Sequence, residues 1–354
     1  MNRNRKICAM SYRVLALATA VLVFAEPGLC ADSLRQGLAL CGGPLLVSLY
    51  PFLLVSSLLA CSGAGETLGV VFRPVARGIG LRGMDAKSAG GVLLMGFVGG
   101  FAPAASAASA AVRSGRLSAR AAAALLPACI CSGPSFVILT VGGQLLDSRA
   151  LGVQLFASQV VAGWLSAALL NRMSGDPGHA ETQKSPQETM PLPGLDVLIA
   201  QAAVTYLKLC GFILYFRLLA AGVSRFLPGA WAALPAMLLE VCSGCDCASR
   251  TGVWASSLCC AALSVQGASV LLQVRTLCPP QVSLRRLLAA RTVHLPLSLA
   301  LFWLGLPRQA AETFSTLPQR VILMRRVPAD CALAAFFLCC LTAWELCRAA
   351  DHFR

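Results

Sequence analysis

Charge is what this sequence has least of: Asp, Glu, Lys and Arg make up 12% of its 354 residues, against about 25% in an ordinary soluble domain. With 57% hydrophobic residues and a mean hydropathy of +0.73, the shortage excludes a water-soluble architecture. Apolar runs recur from end to end, so one polytopic all-α membrane unit is expected rather than two soluble domains. Acids are the scarcer sign, 15 against 29 bases, for a formal net charge of +14. On a soluble protein that excess would point to nucleic acid. Here the bases sit in short clusters between apolar runs, such as Arg3, Arg5 and Lys6 or Arg113, Arg116 and Arg120. That is the pattern of cytoplasmic loops beside anionic headgroups, so the lipid bilayer is an expected partner and nucleic acid is not.

Catalytic motifs are lacking too. The sequence holds no HExxH, no P-loop, no GxSxG and no ATP-binding domain, so neither an enzyme nor a primary pump is expected, and no cofactor. Cys242, Cys245 and Cys247 have zinc-like spacing but no second CxxC or paired His nearby, and no metal site is expected. Most of the seventeen cysteines, among them Cys129, Cys210, Cys259, Cys260, Cys339 and Cys340, lie inside apolar stretches as small apolar residues.

What is present is a series of apolar windows near 13–30, 44–62, 89–111, 121–146, 150–171, 196–220, 228–243, 251–274, 292–307 and 331–348. The first follows a basic start and could be a signal peptide. Its break at Glu26-Pro27-Gly28 has no convincing small-x-small site, and a retained helix is expected. Two windows differ from plain spans: 89–111 is interrupted by Gly99-Gly100-Phe101-Ala102-Pro103, and 228–243 is short and ends in Glu240-Val241-Cys242-Ser243-Gly244. If 89–111 crossed fully, Arg113, Arg116 and Arg120 would lie outside, against the positive-inside rule. A re-entrant hairpin there, and a second one at 228–250 from the other face, keeps those bases inside together with Arg73, Arg77, Arg82, Lys87, Arg275, Arg285, Arg286 and Arg291. Arg308, Arg320, Arg325 and Arg326 remain misfits. The expectation is about eight spans and two hairpins.

A polar Pro-rich linker at 173–195 divides the chain. It separates a first repeat (44–172) from a second (196–307), with an N-terminal helix and amphipathic connector (1–43) before them and a basic loop and C-terminal helix (308–354) after. Aligning 48–59 with 208–219 gives five identities. Each half then reads span, broken hairpin, span with a Gly break (Ser132-Gly133-Pro134-Ser135 or Gln266-Gly267-Ala268-Ser269), span. With the halves starting from opposite faces, this is the inverted repeat of many transporters.

Irregular backbone at membrane depth survives only where protein, water or a ligand satisfies it, and half-helix amide ends attract anions. Candidate substrate contacts in the first half are Gly99, Gly100, Phe101, Pro103 and Ser106, then Cys131, Ser132, Gly133, Pro134 and Ser135. Helix packing is the other reading there, since Gly96, Gly100, Ala104 and Ala108 form a small-residue stripe. In the second half the candidates are Glu240, Ser243, Gly244 and Asp246, then Gln266, Gly267 and Ser269. Glu240 ends an apolar stretch, and an ionisable group at depth costs at least about 2.5 kcal/mol on insertion scales; the other reading is an interfacial carboxylate that ends a helix. Lys208 is expected to snorkel and His294 to sit at the interface.

Taken together, Gly99-Gly100-Phe101-Ala102-Pro103-Ala104-Ala105, Arg113-Ser114-Gly115-Arg116-Leu117-Ser118, Cys131-Ser132-Gly133-Pro134-Ser135-Phe136-Val137-Ile138 and Leu239-Glu240-Val241-Cys242-Ser243-Gly244 carry a resemblance. From Pro44 to about Leu306 the chain resembles the sporulation integral membrane protein YlbJ family, within the nucleoside-recognition or gate domains. It departs from the family pattern in the first hairpin, where the Pro is shifted by one position and a Gly is lost, and at Cys131-Ser132, where Asn is common. The resemblance implies a multi-pass protein of the mother-cell-derived outer forespore membrane of endospore-forming bacteria. It also implies a small anionic substrate, dipicolinate, moved from the mother cell towards the forespore. Alternatives are a non-transporting scaffold for sporulation partner proteins, with or without homo-oligomers, and a nucleoside-type carrier.

Overall fold

The computed structural model describes residues 3–62, 64–174, 194–227, 231 and 233–305. Among them the chain is helical, with no strand. Helix α1 (Arg3–Ala25) stops at Glu26, and Pro27 opens α2 (Pro27–Leu40), where its missing N–H would have no helical partner. The axis turns by 106° at that point. Cys30, Ser33, Gly37 and Leu40 form one buried face on α2, the periodicity of an amphipathic connector. A π turn at Cys41–Leu45 leads into α3 (Leu46–Cys61), followed by the short α4 (Ala64–Leu68) and α5 (Arg73–Gly78).

Next come α6 (Gly83–Gly99) and α7 (Phe101–Arg113), α8 (Ala119–Cys129), a π-helix over Ser135–Leu145 and α9 (Arg149–Met173). After the linker the chain forms α10 (Leu195–Ser224), α11 (Ala233–Leu239), α12 (Val241–Ser249), α13 (Ala255–Val265), α14 (Gly267–Leu277) and α15 (Arg285–Gly305).

Among the described residues four stretches are long and apolar enough to cross a membrane: α9, α10, Gly252–Leu277 and α15; two bent pairs, at Tyr12–Gly43 and Leu49–Gly78, raise the number to six. The protein is thus an all-α polytopic membrane protein. Six of the expected spans fall on these elements. The segment 121–146 instead divides into α8 and the π-helix, each of 11 residues. At about 1.5 Å of rise per residue neither covers a ~30 Å hydrocarbon core alone. Pro134 is the cause, because it cannot donate to a helix running through 131–133 and pushes Gly133 out of helical geometry. The expected span at 331–348, most of the linker and Arg308, Arg320, Arg325 and Arg326 lie outside the described residues.

Both hairpins return to the face they enter. Asp85, at the start of α6, accepts from the backbone N–H of Ser118, just beyond α7 (3.2 Å). In the second hairpin α12 folds back against α11, so that a β-carbon on Gly244 would sit 2.8 Å from Met237 Cα. At 7 and 9 residues these helices are too short to cross.

The two hairpins open to opposite faces. Asn171 donates to Ile79 O and Ala124 O and accepts from Arg286, which gathers the ends of α5, α9 and α15 at the level of the first hairpin's mouth. Residues Arg250 and Thr251 of the second hairpin lead into Gly252–Leu277, whose 26 residues span about 39 Å before α15 begins. Arg225 pairs with Glu26 at 3.9 Å on that far level. Helices α3 and α10 pack together, Tyr50 edge-on to Tyr206 with ring centroids 6.3 Å apart, and Tyr206 donates to Cys41 O.

Candidate functional site

Each half contains two interrupted helices that touch at their interruptions. In the first, Gly100 (φ +83°) separates α6 from α7, and a β-carbon there would lie 2.6 Å from Gly133 N. Only glycine supplies both that backbone sign and that closeness. In the second half Gln266 and Gly267 are both left-handed (φ 61° and +68°), and a β-carbon on Gly267 would lie 2.8 Å from Glu240 N. The crossings therefore read Gly100 against Gly133 and Gly267 against Leu239-Glu240.

Arg291 joins the two crossings. From the second turn of α15 its Nη2 donates to Ile130 O (2.7 Å), at the end of α8, and to Gln266 Oε1 (2.8 Å), while Nη1 donates to Ser264 O (3.3 Å), near the end of α13. Helix C-termini carry partial negative charge, and a guanidinium placed between two of them answers both. This corrects its expected place in an inside loop: the side chain runs inward from the helix to the chain breaks.

Glu240 is 1% exposed. Its carboxylate caps α12, accepting from Cys242 N (2.8 Å) and Ser243 N (2.6 Å). A carboxylate against the positive end of a helix is the expected arrangement. Its consequence differs from the sequence expectation, because the amide end of α12 already holds an anion, the chain's own.

Three buried polar atoms around these breaks have no hydrogen-bond partner: Ser132 Oγ, Gln266 Nε2 and Arg291 Nε. An unsatisfied buried group costs about 1–3 kcal/mol, so such groups mark places where water or a ligand completes the bonding.

The other anticipated residues divide. Cys131 is buried with its thiol donating to Gly96 O (3.7 Å). Pro103, Ser135 and Gly244 are buried, and Phe101 and Pro134 half-buried, close to their crossings. Ser269 is already engaged, accepting from Gln273 Nε2 (3.0 Å). Ser106 lies on the exposed side of α7, away from the crossing. Asp246 faces two arginines rather than the breaks, at 2.9 Å from each of Arg217 and Arg250.

Some polar residues at depth went unanticipated. Gln159 on α9 donates to Cys260 O (3.1 Å) and Ser264 Oγ (3.0 Å), and its carbonyl meets His294 Nε2 at 3.0 Å. His294 is thus buried, not interfacial, because it lies one turn beyond Arg291 on the inward face of α15. Lys208 is exposed, as a snorkelling residue would be, while Arg217 in the same helix is buried. A base in mid-run was the available signal for Arg217. No protein-family model, curated protein or solved structure matches the chain.

Proposed function

We propose that this membrane protein is a secondary carrier or facilitator of a small anion, with its substrate site where the four interrupted helices meet. The observation that carries the reading is the guanidinium of Arg291 held between two broken-helix ends, with Ser132 Oγ, Gln266 Nε2 and its own Nε left unpartnered around it. A half-buried cation with spare donors beside it suits a carboxylate. Hairpins that open to opposite faces supply two approaches to one central point, the arrangement used for alternating access.

Glu240 has the coupling role in this scheme. Its carboxylate competes with a substrate anion for the amide end of α12, so protonating it frees that end while leaving the helix in place. The positive-inside rule puts the Arg113, Arg116 and Arg120 face in the cytoplasm. The resemblance to the YlbJ family suggests dipicolinate as the substrate and the outer forespore membrane as the location.

The test is uptake into sealed liposomes loaded with terbium, with dipicolinate added outside and chelate luminescence compared with protein-free vesicles. Protein-dependent uptake that is blocked by non-luminescent analogues and lost in Arg291→Gln establishes the reading. Absence of uptake from a folded, monodisperse sample overturns it. A non-transporting scaffold is favoured by one observation, the internal satisfaction of Glu240 and Ser269; it predicts no flux and a stable complex with sporulation partner proteins in pull-downs.

A further inference from the structure

On the side of α12 that faces α2 and α10, a cavity of about 510 Å³ opens beside the second hairpin, lined among others by Gln36, Arg217, Ser243, Arg250 and Thr251, with alanines of α10 and α11 as its apolar wall. Arg217 is 8% exposed and reaches this cavity from the interior of an apolar helix. Its Nη2 donates to Gln36 Oε1 (2.8 Å) and Asp246 Oδ2 (2.9 Å), while its Nη1 has no partner. Arg250 holds the other carboxylate oxygen, Oδ1, at 2.9 Å. Two guanidinium groups thus share the single carboxylate of Asp246. Ser243, whose backbone N–H donates to Glu240, lies on the same wall. A buried arginine with an unpartnered nitrogen facing a cavity has a donor to offer an anion.

The level of the mouth indicates which anion. Arg250 and Thr251 end the second hairpin and Ser224 ends α10, so the cavity opens where helices leave the apolar layer. The residues that follow these ends, Phe226, Trp231 and Trp254, are 86%, 65% and 61% exposed. Exposed aromatic rings at helix ends form the belt that sits at headgroup depth, and the commonest anion at that depth is phosphate.

We infer that this cavity binds a phosphate-type oxyanion, from the headgroup of an anionic phospholipid or from free phosphate in water. Arg217 Nη1 is the inner donor and Arg250 the outer charge. The inference is independent of the carrier reading, since it uses a different arginine and a binding measurement rather than flux.

The full chain, purified in a neutral detergent, would be titrated with phosphatidylglycerol, phosphatidylcholine and inorganic phosphate while bound lipid is counted by native mass spectrometry and thermal unfolding is followed. The expected result is saturable phosphatidylglycerol binding, weakened about tenfold or more in Arg217→Gln, a loss of one charge-assisted contact, and displaced by inorganic phosphate. Saturable, Arg217-dependent binding of inorganic phosphate without retained lipid supports the same site with a soluble ligand. If Arg217→Gln does not fold, the exposed Arg250→Gln and the conservative Arg217→Lys replace it, with weaker binding expected in the first and partial rescue in the second. Binding of lipid and phosphate that is unchanged in the folded variants, or absent in the wild type, overturns the inference.

Discussion

The two helix crossings are built on the same plan and filled differently. In the first half glycine meets glycine, Gly100 against Gly133, next to Ser132, whose buried hydroxyl has no partner. In the second half Gly267 presses on the backbone of a buried acid, Glu240, beside Gln266 and within reach of Arg291. The difference separates two jobs that a broken helix can do. Close backbone approach alone demands small residues and no charge, whereas a charge at depth must be matched by a helix end or a counter-group. The first crossing is held by close backbone contact, the second adds a buried acid, and Arg291 reaches both.

The comparison breaks most severely if the glycines are exchangeable. Gly100→Ala and Gly267→Ala should each cost about 3 kcal/mol or more, from a left-handed residue given a β-carbon and a contact below 3 Å. Thermal unfolding in detergent reads this, and equal losses at the two sites would establish the shared plan. Arg291→Gln is next, because it leaves Ile130 O and Gln266 Oε1 without their cation and should cost about 2–3 kcal/mol. Arg291→Lys keeps the charge but not the fork, so it should recover part of the stability and less of the uptake.

Glu240→Gln retains an oxygen for one of the two capping bonds and should cost about 1 kcal/mol. On the carrier reading its transport falls while the protein stays in the membrane; unchanged flux removes the coupling role. Ser132→Ala is the smallest change in stability, within about 0.5 kcal/mol, because its hydroxyl has no partner to lose. On the carrier reading uptake falls without a fall in stability, because Ser132 Oγ belongs to the proposed substrate site; unchanged uptake would leave the first crossing as packing alone.

Much of this was legible along the chain. The Gly99-Gly100 and Ser132-Gly133-Pro134 breaks, the Glu240 turn and the Gln266-Gly267 break stand where interruptions of apolar runs place them, since Gly and Pro act on the local backbone whatever surrounds them. The hairpin at 83–113 followed from charge placement, and its return is fixed by Asp85 meeting Ser118 N. The division of 121–146 was less visible, because hydropathy averages over a window and does not register a lost backbone bond.

Partners were the part that no local pattern held. Ser106 and Ser132 look alike in sequence, yet one is exposed and the other buried at a crossing. Lys208 and Arg217 are bases in one apolar helix, and the packing of α2 and α12 against one side of it decides which is buried. By itself the sequence determined the membrane class, the helices and the places where they break, because hydropathy, proline and glycine act over a few neighbouring residues. Only the tertiary structure decided that the four breaks converge, that Glu240 occupies the amide end of its own helix, and that Arg291 spans two helix ends, because a charge buried in a low-dielectric interior is matched by whatever the fold brings within about 3 Å of it.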